Sequence, residues 1–330
     1  MTYHAPTSEV THADDAAAYL GAMRRPLKTK PARGDGAYIG GGGLAHRRID
    51  WRYVGDQALT IAVPVVFVLA AFWRIRFFAT YPWILGVDSR LYYHATATWL
   101  AGGDPWSVRE LGVFFAAPPP ALLLSLPLQL VGPDFAAFFW PFAGLLGMIA
   151  AIRHYRLPIW WILFPPFLEG VLPGSADPAL LGAVILGAGS LAAVTKPYAV
   201  PGMLAERRYR AVAVGVLILF ATFAVLPWGT FFARLPSISA SLASQTLAQP
   251  TPAALVVTVA IALVSLRQRG LSLLTPALWP SPQPHYALFS LDVIRTSRVL
   301  AIGFAIPGAT PIVILLYAFI RRRQISAPDG

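Results

Sequence analysis

Apolar runs separated by short polar or basic segments recur along most of the chain after residue 57. The runs lie at about 58–79, 113–131, 135–152, 158–172, 178–195, 211–233, 251–266, 271–291 and 299–320. A helix needs about 20 apolar residues to cross the hydrocarbon core of a bilayer. The pattern therefore predicts an all-α, polytopic membrane protein with about 8–10 spans.

Composition narrows the class further. The chain is 56% hydrophobic and only 12% charged, whereas a soluble domain typically carries about 25% charged residues. The absence of cysteine excludes disulfides, thiolate catalysis and cysteine-bound metals. The net charge of +11 comes from basic residues beside the ends of apolar runs, which favours cytoplasmic loops and anionic membrane lipids over nucleic acid as the explanation.

The chain divides into three predicted parts. Residues 1–56 lack an apolar core and contain the glycine run 40–43, so we expect a disordered, basic cytoplasmic tail and not a signal peptide. Residues 57–323 form the membrane-embedded domain, including an external loop at 80–112, and residues 324–330 form a C-terminal tail. Eight Lys and Arg residues before the first run place the N-terminus inside. The basic pair at 153 and 156 fits this topology only if the run 113–131 is partly inserted or the charge rule fails there.

The loop 80–112 has the spacing of a short amphipathic helix. Its apolar stripe consists of Leu91, Ala95 and Trp99. Gly102 and Gly103 are expected to end the helix. We predict that it lies in the outer interface with aromatic side chains at headgroup depth. These aromatic residues are Tyr92, Tyr93, Trp99 and Trp106.

Acidic residues are scarce in the apolar part of the chain, which makes each one a candidate for chemistry. Those that could face the outside are Asp88, Asp104, Glu110, Asp177 and Asp292. Asp88 is the leading candidate because it follows the first run and precedes two tyrosines. Its structural alternative is an N-cap of the helix, and Asp104 in Gly-Asp-Pro-Trp is expected to form a turn.

Three segments together resemble a known family. Residues 86–107, GVDSRLYYHATATWLAGGDPWS, are similar to the first external loop of glycosyltransferase family 87 in the GT-C superfamily, with Pro118-Pro119 opening the next span. Lys196-Pro197 resembles that family's Lys-Pro motif. Trp279-Pro280 with His285-Tyr286 resembles its late external segment, whereas Gly174-Ser175-Ala176-Asp177 departs from the family's Gly-Gln-x-Asn.

The resemblance implies a GT-C-like helical bundle that transfers mannose, with inversion, from a polyprenyl-phosphate donor to a glycolipid or polysaccharide acceptor on the outer face. Asp88 would be the general base, and His285 would assist acceptor or phosphate binding. The remaining substrate-binding candidates are Tyr92, Tyr93, Lys196, Arg74, Arg76 and Tyr286. Such a transfer needs a base and cations for the leaving phosphate. We expect no cofactor and no metal, because the phosphate already leaves well.

Several alternatives fit the same residues. Lys196 could mark a cytoplasmic helix end, His285 could be a solvated loop residue, and Arg74 and Arg76 could extend from a helix end to the interface. The donor sugar could be arabinose or another pentose. The whole chain could instead be a transporter or flippase for a lipid-linked glycan, although we find no internal repeat of the kind transporters show, or a scaffold subunit without catalysis.

Overall fold

The computed structural model describes residues 51–244, 266–274, 276, 283–306 and 309–326. This part of the chain is mostly helical, as predicted, with one very short β-hairpin. Several sequence predictions fall outside the described residues. They concern residues 1–50, most of the run 251–266, the pair Trp279-Pro280 and residues 327–330.

The described helices are numbered in chain order. The first group is α1 Trp51–Thr80, α2 Val87–Leu100, α3 Pro120–Ser125, α4 Pro133–His154, α5 Pro165–Val171, α6 Asp177–Ile185, α7 Gly189–Thr195 and α8 Val200–Ala205. The second group is α9 Tyr209–Thr222, α10 Trp228–Ser244, α11 Gln268–Leu273, α12 Leu291–Ile294, α13 Arg298–Ala305 and α14 Thr310–Ser326. The hairpin pairs β1 Arg109–Glu110 with β2 Val113–Phe114 in antiparallel register. Short 3-10 turns include Ile159–Leu163, Pro197–Ala199 and Pro284–Ser290.

Two of the described helices are long and apolar enough to cross a membrane, namely Val54–Thr80 within α1 and Pro133–His154. The other predicted runs that the structure describes are divided into shorter pieces. The run 158–172 becomes a 3-10 turn followed by α5, which begins at Pro165, and proline cannot supply the N–H that a continuous helix needs. Hydropathy alone therefore predicts fewer interruptions between helices than the described part of the chain contains.

The run 178–195, predicted as one span, is a helical hairpin. Gly187 adopts φ +93 and separates α6 from α7, a conformation that glycine adopts without steric cost. The Val184 carbonyl, near the end of α6, accepts a hydrogen bond from Arg208. Asp177 begins α6 and Lys196 caps the end of α7, so the two charged residues return to the same end of the hairpin.

Helices α4 and α6 pack backbone against backbone. A Cβ at Gly147 would lie 1.9 Å from the carbonyl oxygen of Pro178, and one at Gly182 would lie 2.7 Å from the Cα of Gly147. Small residues allow helices to approach this closely. The contact fixes the height of α6 relative to α4, and Asp177 is the first residue of α6.

The loop 80–112 contains the predicted helix with several corrections. Helix α2 ends before Gly102, which adopts φ +76, and its stripe of Leu91, Ala95 and Trp99 packs in a hydrophobic core, as expected. However, Tyr92 and Trp106 are buried among protein side chains and do not lie at a membrane surface. The Trp106 indole instead donates to the Ala117 carbonyl.

The start of α2 also differs from the prediction. Gly86 is the N-cap residue, and Asp88 lies in the first turn without accepting a capping hydrogen bond, so the N-cap interpretation of Asp88 is wrong. A Cβ at Gly86 would lie 2.2 Å from the Ala137 carbonyl oxygen, which explains glycine there. Asp104 does form the predicted turn, because its carboxylate accepts a hydrogen bond from the Trp106 N–H and pairs with Arg234.

Candidate functional site

A cavity of about 270 Å³ lies beside the last turns of α1 and the first turn of α2. One part of its wall is apolar and includes Phe77, Phe78, Ile84, Leu91, Val113, Phe114 and Phe115. Another part is polar and includes Arg74, Asp88, Tyr92, Glu169, Ser175, Lys196, Tyr198, Gln283, His285 and Tyr286. The cavity thus places hydrocarbon surface and ionisable groups side by side.

Six of the eight residues predicted for the site line this one cavity, although they come from distant parts of the chain. They are Asp88, His285, Tyr92, Lys196, Arg74 and Tyr286. The other two lie elsewhere: Arg76 is exposed on α1, and the partly buried Tyr93 packs against the core and not into the cavity. The chemical roles of the six residues remain predictions.

Asp177 lies behind the polar wall and contacts three of its residues. It is fully buried, and its Oδ1 accepts a hydrogen bond from the Tyr198 hydroxyl at 2.5 Å. Its Oδ2 accepts one from the Ser175 hydroxyl at 2.8 Å and lies 3.1 Å from His285 Nε2. A buried carboxylate is costly unless it is hydrogen-bonded, and here both oxygens are satisfied. Asp177 therefore joins α6, the turn after α7 and the segment 284–290.

Lys196 reaches the cavity from the end of α7. Its Nζ lies 5.6 Å from the ring centres of both Tyr92 and Tyr198, a distance typical of cation–π contacts. Burial alone would lower the pKa of Lys196, but the Asp177 charge and the Tyr92 hydroxyl outweigh it and raise the pKa above its usual value. The side chain is thus a cation in the cavity, and the helix-end interpretation accounts only for its backbone.

Asp88 faces the same cavity from α2. Burial raises the pKa of its carboxyl to about 6, while the Lys196 charge opposes this rise and the Asp177 charge adds to it. At pH 7 most Asp88 side chains are ionised, yet their proton affinity is well above that of an exposed carboxylate. This combination suits a general base near neutral pH.

The structure also revises the alternatives for Arg74 and His285. Arg74 forms an ion pair with Glu169 of α5, so it does not simply extend to an interface. His285 is not a solvated loop residue, because its side chain is 13% exposed and contacts Asp177. Burial lowers the pKa of His285 to about 4, so the imidazole is neutral at pH 7.

Sequence reasoning missed several members of this site. Asp177 appeared only as one acid among those expected outside, and Tyr198 and Ser175 were given no role. The available signal was a Ser-x-Asp just before an apolar run, since an acid in that position needs partners. Asp292, also expected outside, does not line the cavity; it accepts a hydrogen bond from Ser272 and lies near Glu206.

The described residues contain no group of three or more acidic, His or Cys side chains that could hold a metal ion. No protein-family model, curated protein or solved structure matches this chain. What the fold and site define is a mostly helical protein with two helices apt for a membrane and one amphipathic, ionisable cavity.

Proposed function

We propose that this protein is a multi-pass membrane glycosyltransferase of the GT-C type, which transfers mannose from a polyprenyl-phosphate donor to a glycolipid or polysaccharide acceptor on the outer face. The observation that carries the proposal is the presence of the Asp88 carboxylate and the Lys196 ammonium in the wall of one cavity beside a long apolar helix. The resemblance of residues 86–107 to a family 87 loop points in the same direction.

The two kinds of wall suit a substrate with two kinds of surface. A polyprenyl phosphate sugar joins a hydrocarbon chain to a charged phosphate and a hydroxyl-rich ring. Phe77, Phe78 and Ile84 offer the hydrocarbon contact, and burying each CH₂ group contributes about 0.8 kcal/mol. Asp88 and Lys196 offer the polar contacts in the same space.

The proposed reaction is a single displacement. Asp88 accepts the proton of the acceptor hydroxyl as that oxygen attacks the anomeric carbon of the donor. The bond from the anomeric carbon to the phosphate oxygen breaks, and the phosphate leaves with the electron pair. The attack comes from the opposite side to the leaving group, so the configuration inverts.

Of the three predicted cations, Lys196 is the best placed for the leaving phosphate. Among the described residues no carboxylate forms a salt bridge with its Nζ. Arg74 is already paired with Glu169, and Arg76 is exposed outside the cavity. An ammonium held by aromatic rings remains able to form a charge-assisted hydrogen bond to phosphate oxygen.

The test uses the purified full-length protein with polyprenyl phosphate carrying radiolabelled mannose. We expect label to pass to a glycolipid acceptor and polyprenyl phosphate to be released, and the same donor with arabinose reports the pentose alternative. Failure of the wild-type protein to turn over either donor contradicts the proposal. Movement of intact donor between leaflets of a vesicle, without turnover, would assign the protein to the flippases instead.

A further inference from the structure

One of the two ring nitrogens of His285 contacts a carboxylate, and the other does not. The nitrogen in contact is Nε2, which lies 3.1 Å from Asp177 Oδ2. A carboxylate oxygen accepts hydrogen bonds, so this contact is favourable when Nε2 carries the proton. A neutral imidazole has a single N–H, which makes Nδ1 a hydrogen-bond acceptor.

Asp177 is held in place by its other contacts. Its side chain is completely buried, and the hydroxyls of Tyr198 and Ser175 donate hydrogen bonds to it. The carboxylate therefore cannot rotate away from His285 without leaving one of these hydroxyls unsatisfied. The carboxylate is thus held beside the Nε2 edge of the imidazole.

The second nitrogen belongs to a side chain on the cavity wall, and the hydrogen bonds of the described residues include none to this Nδ1. A lone pair in that position attracts a hydroxyl proton and repels a phosphate oxygen. Lys196 and Asp88 line the same cavity, so phosphate has a cation elsewhere in it.

We infer that Asp177 is a positioning residue that fixes His285 as the neutral Nε2–H tautomer, and that His285 Nδ1 accepts a hydrogen bond from a sugar hydroxyl of the substrate. The inference deepens the proposed function and rests on it for the identity of the sugar. The sequence led us to expect that His285 assists either acceptor or phosphate binding. If Nδ1 accepts a hydrogen bond from a hydroxyl, the same nitrogen does not bind phosphate. Asp177 itself touches no substrate.

The tautomer is tested directly by nuclear magnetic resonance of protein with ¹⁵N-labelled histidine. The chain has 6 histidines, and the His285→Gln variant identifies the signals of His285. We expect one bare Nδ1 and one protonated Nε2 in the wild type, and a mixture or the opposite tautomer in Asp177→Asn. A protonated Nδ1 in the wild type would overturn the inference, and this measurement does not depend on any transferase activity.

The substrate contact is tested by binding, with two replacements of His285. Glutamine places its amide nitrogen near the Nε2 position and keeps a donor for Asp177, but offers nothing at Nδ1. Asparagine places its amide oxygen near the Nδ1 position. We expect His285→Gln to weaken binding of polyprenyl phosphate mannose or of the glycolipid acceptor by about fivefold to tenfold, the size of one neutral hydrogen bond, and His285→Asn to weaken it less.

The ligand without a sugar separates the two roles of His285. Binding of plain polyprenyl phosphate should be the same in His285→Gln and in the wild type. Weaker binding of plain polyprenyl phosphate would make His285 a phosphate ligand and refute the inference. If the wild type binds none of these lipids, the proposed function fails, and the tautomer measurement alone then decides the role of Asp177. Because Asp177→Asn removes a buried charge and could fail to fold, the His285 pair keeps the test decisive.

Discussion

Replacing Asp88 by asparagine should remove activity and stabilise the fold at the same time. Asparagine has nearly the shape of aspartate but cannot accept a proton, so we expect transfer to fall by at least about 100-fold, the contribution of a general base. Asp88 does not cap α2, so no capping free energy is lost with the carboxylate.

The expected gain in stability follows from the pKa. The Asp88 carboxyl has a pKa of about 6 in the fold against an ordinary value of 3.8, and this difference corresponds to about 3 kcal/mol. Because the pKa is raised in the folded state, ionisation at high pH costs stability. The cost is absent below about pH 4, grows between about pH 4 and pH 6, and is complete at pH 7. Asparagine carries no charge at any pH, so the variant does not lose stability in this way.

The assay is thermal unfolding in detergent, followed by intrinsic tryptophan fluorescence at a series of pH values. At pH 7 we expect the melting temperature of Asp88→Asn to exceed that of the wild type by about 4–5 °C, and the two curves to converge near pH 4. Transfer by the wild type should rise with pH through about 6 as Asp88 deprotonates.

The matched control is Asp134→Asn. Asp134 is an exposed residue in the first turn of α4 and does not line the cavity. This variant should keep its activity and show no pH-dependent gain in melting temperature. Substantial transfer by Asp88→Asn, or equal melting temperatures of Asp88→Asn and the wild type at pH 7, would refute the assignment of Asp88 as a partly buried general base.

Three further perturbations test other parts of the structure. Lys196→Met keeps the length of the side chain but removes its charge. We expect kcat/KM for the donor to fall about 10-fold to 100-fold, the range for a hydrogen bond to a charged group, whereas Arg76→Met should change kcat/KM little. Equal effects of the two substitutions would contradict the phosphate role of Lys196. Gly147→Ala would put a Cβ 1.9 Å from a backbone oxygen of α6. It should therefore destabilise the fold by about 1–3 kcal/mol and reduce transfer, although position 147 does not line the cavity. An unchanged melting temperature would show that α4 and α6 can separate freely. Single cysteines at the exposed positions Ala101 and Ala188 test topology in a chain that has none: an impermeant thiol reagent should label the first in intact cells and not the second, and the reverse pattern would invert the proposed orientation.

Local features of the loop 80–112 could be predicted from the sequence because they depend on near neighbours. The helical stripe from Leu91 to Trp99, the stop at Gly102 and the turn at Asp104 each involve residues a few positions apart. The burial of Trp106 could not be predicted in this way, since it depends on contact with Phe231, which lies on α10.

The candidate site divides along the same line. Single residues such as Asp88 and Lys196 were conspicuous because charge is rare in apolar sequence. Asp177 was not conspicuous in the sequence, because its importance comes from contacts with Tyr198 and His285 that only the folded chain creates. Hydropathy also gave no sign of the break at Gly187, where a single glycine converts an apparent span into a hairpin.

The hairpin of α6 and α7 offers a place to lengthen the chain. Its tip, residues 186–188, is exposed, and α6 has nine residues, so the tip lies about 14 Å along the helix from the cavity end. Exposed loop tips are preferred sites for inserted domains, and the entropic cost of a longer loop grows slowly with its length. A small folded tag placed after Gly187 would add recognisable mass for electron cryomicroscopy while leaving the cavity ends of both helices undisturbed.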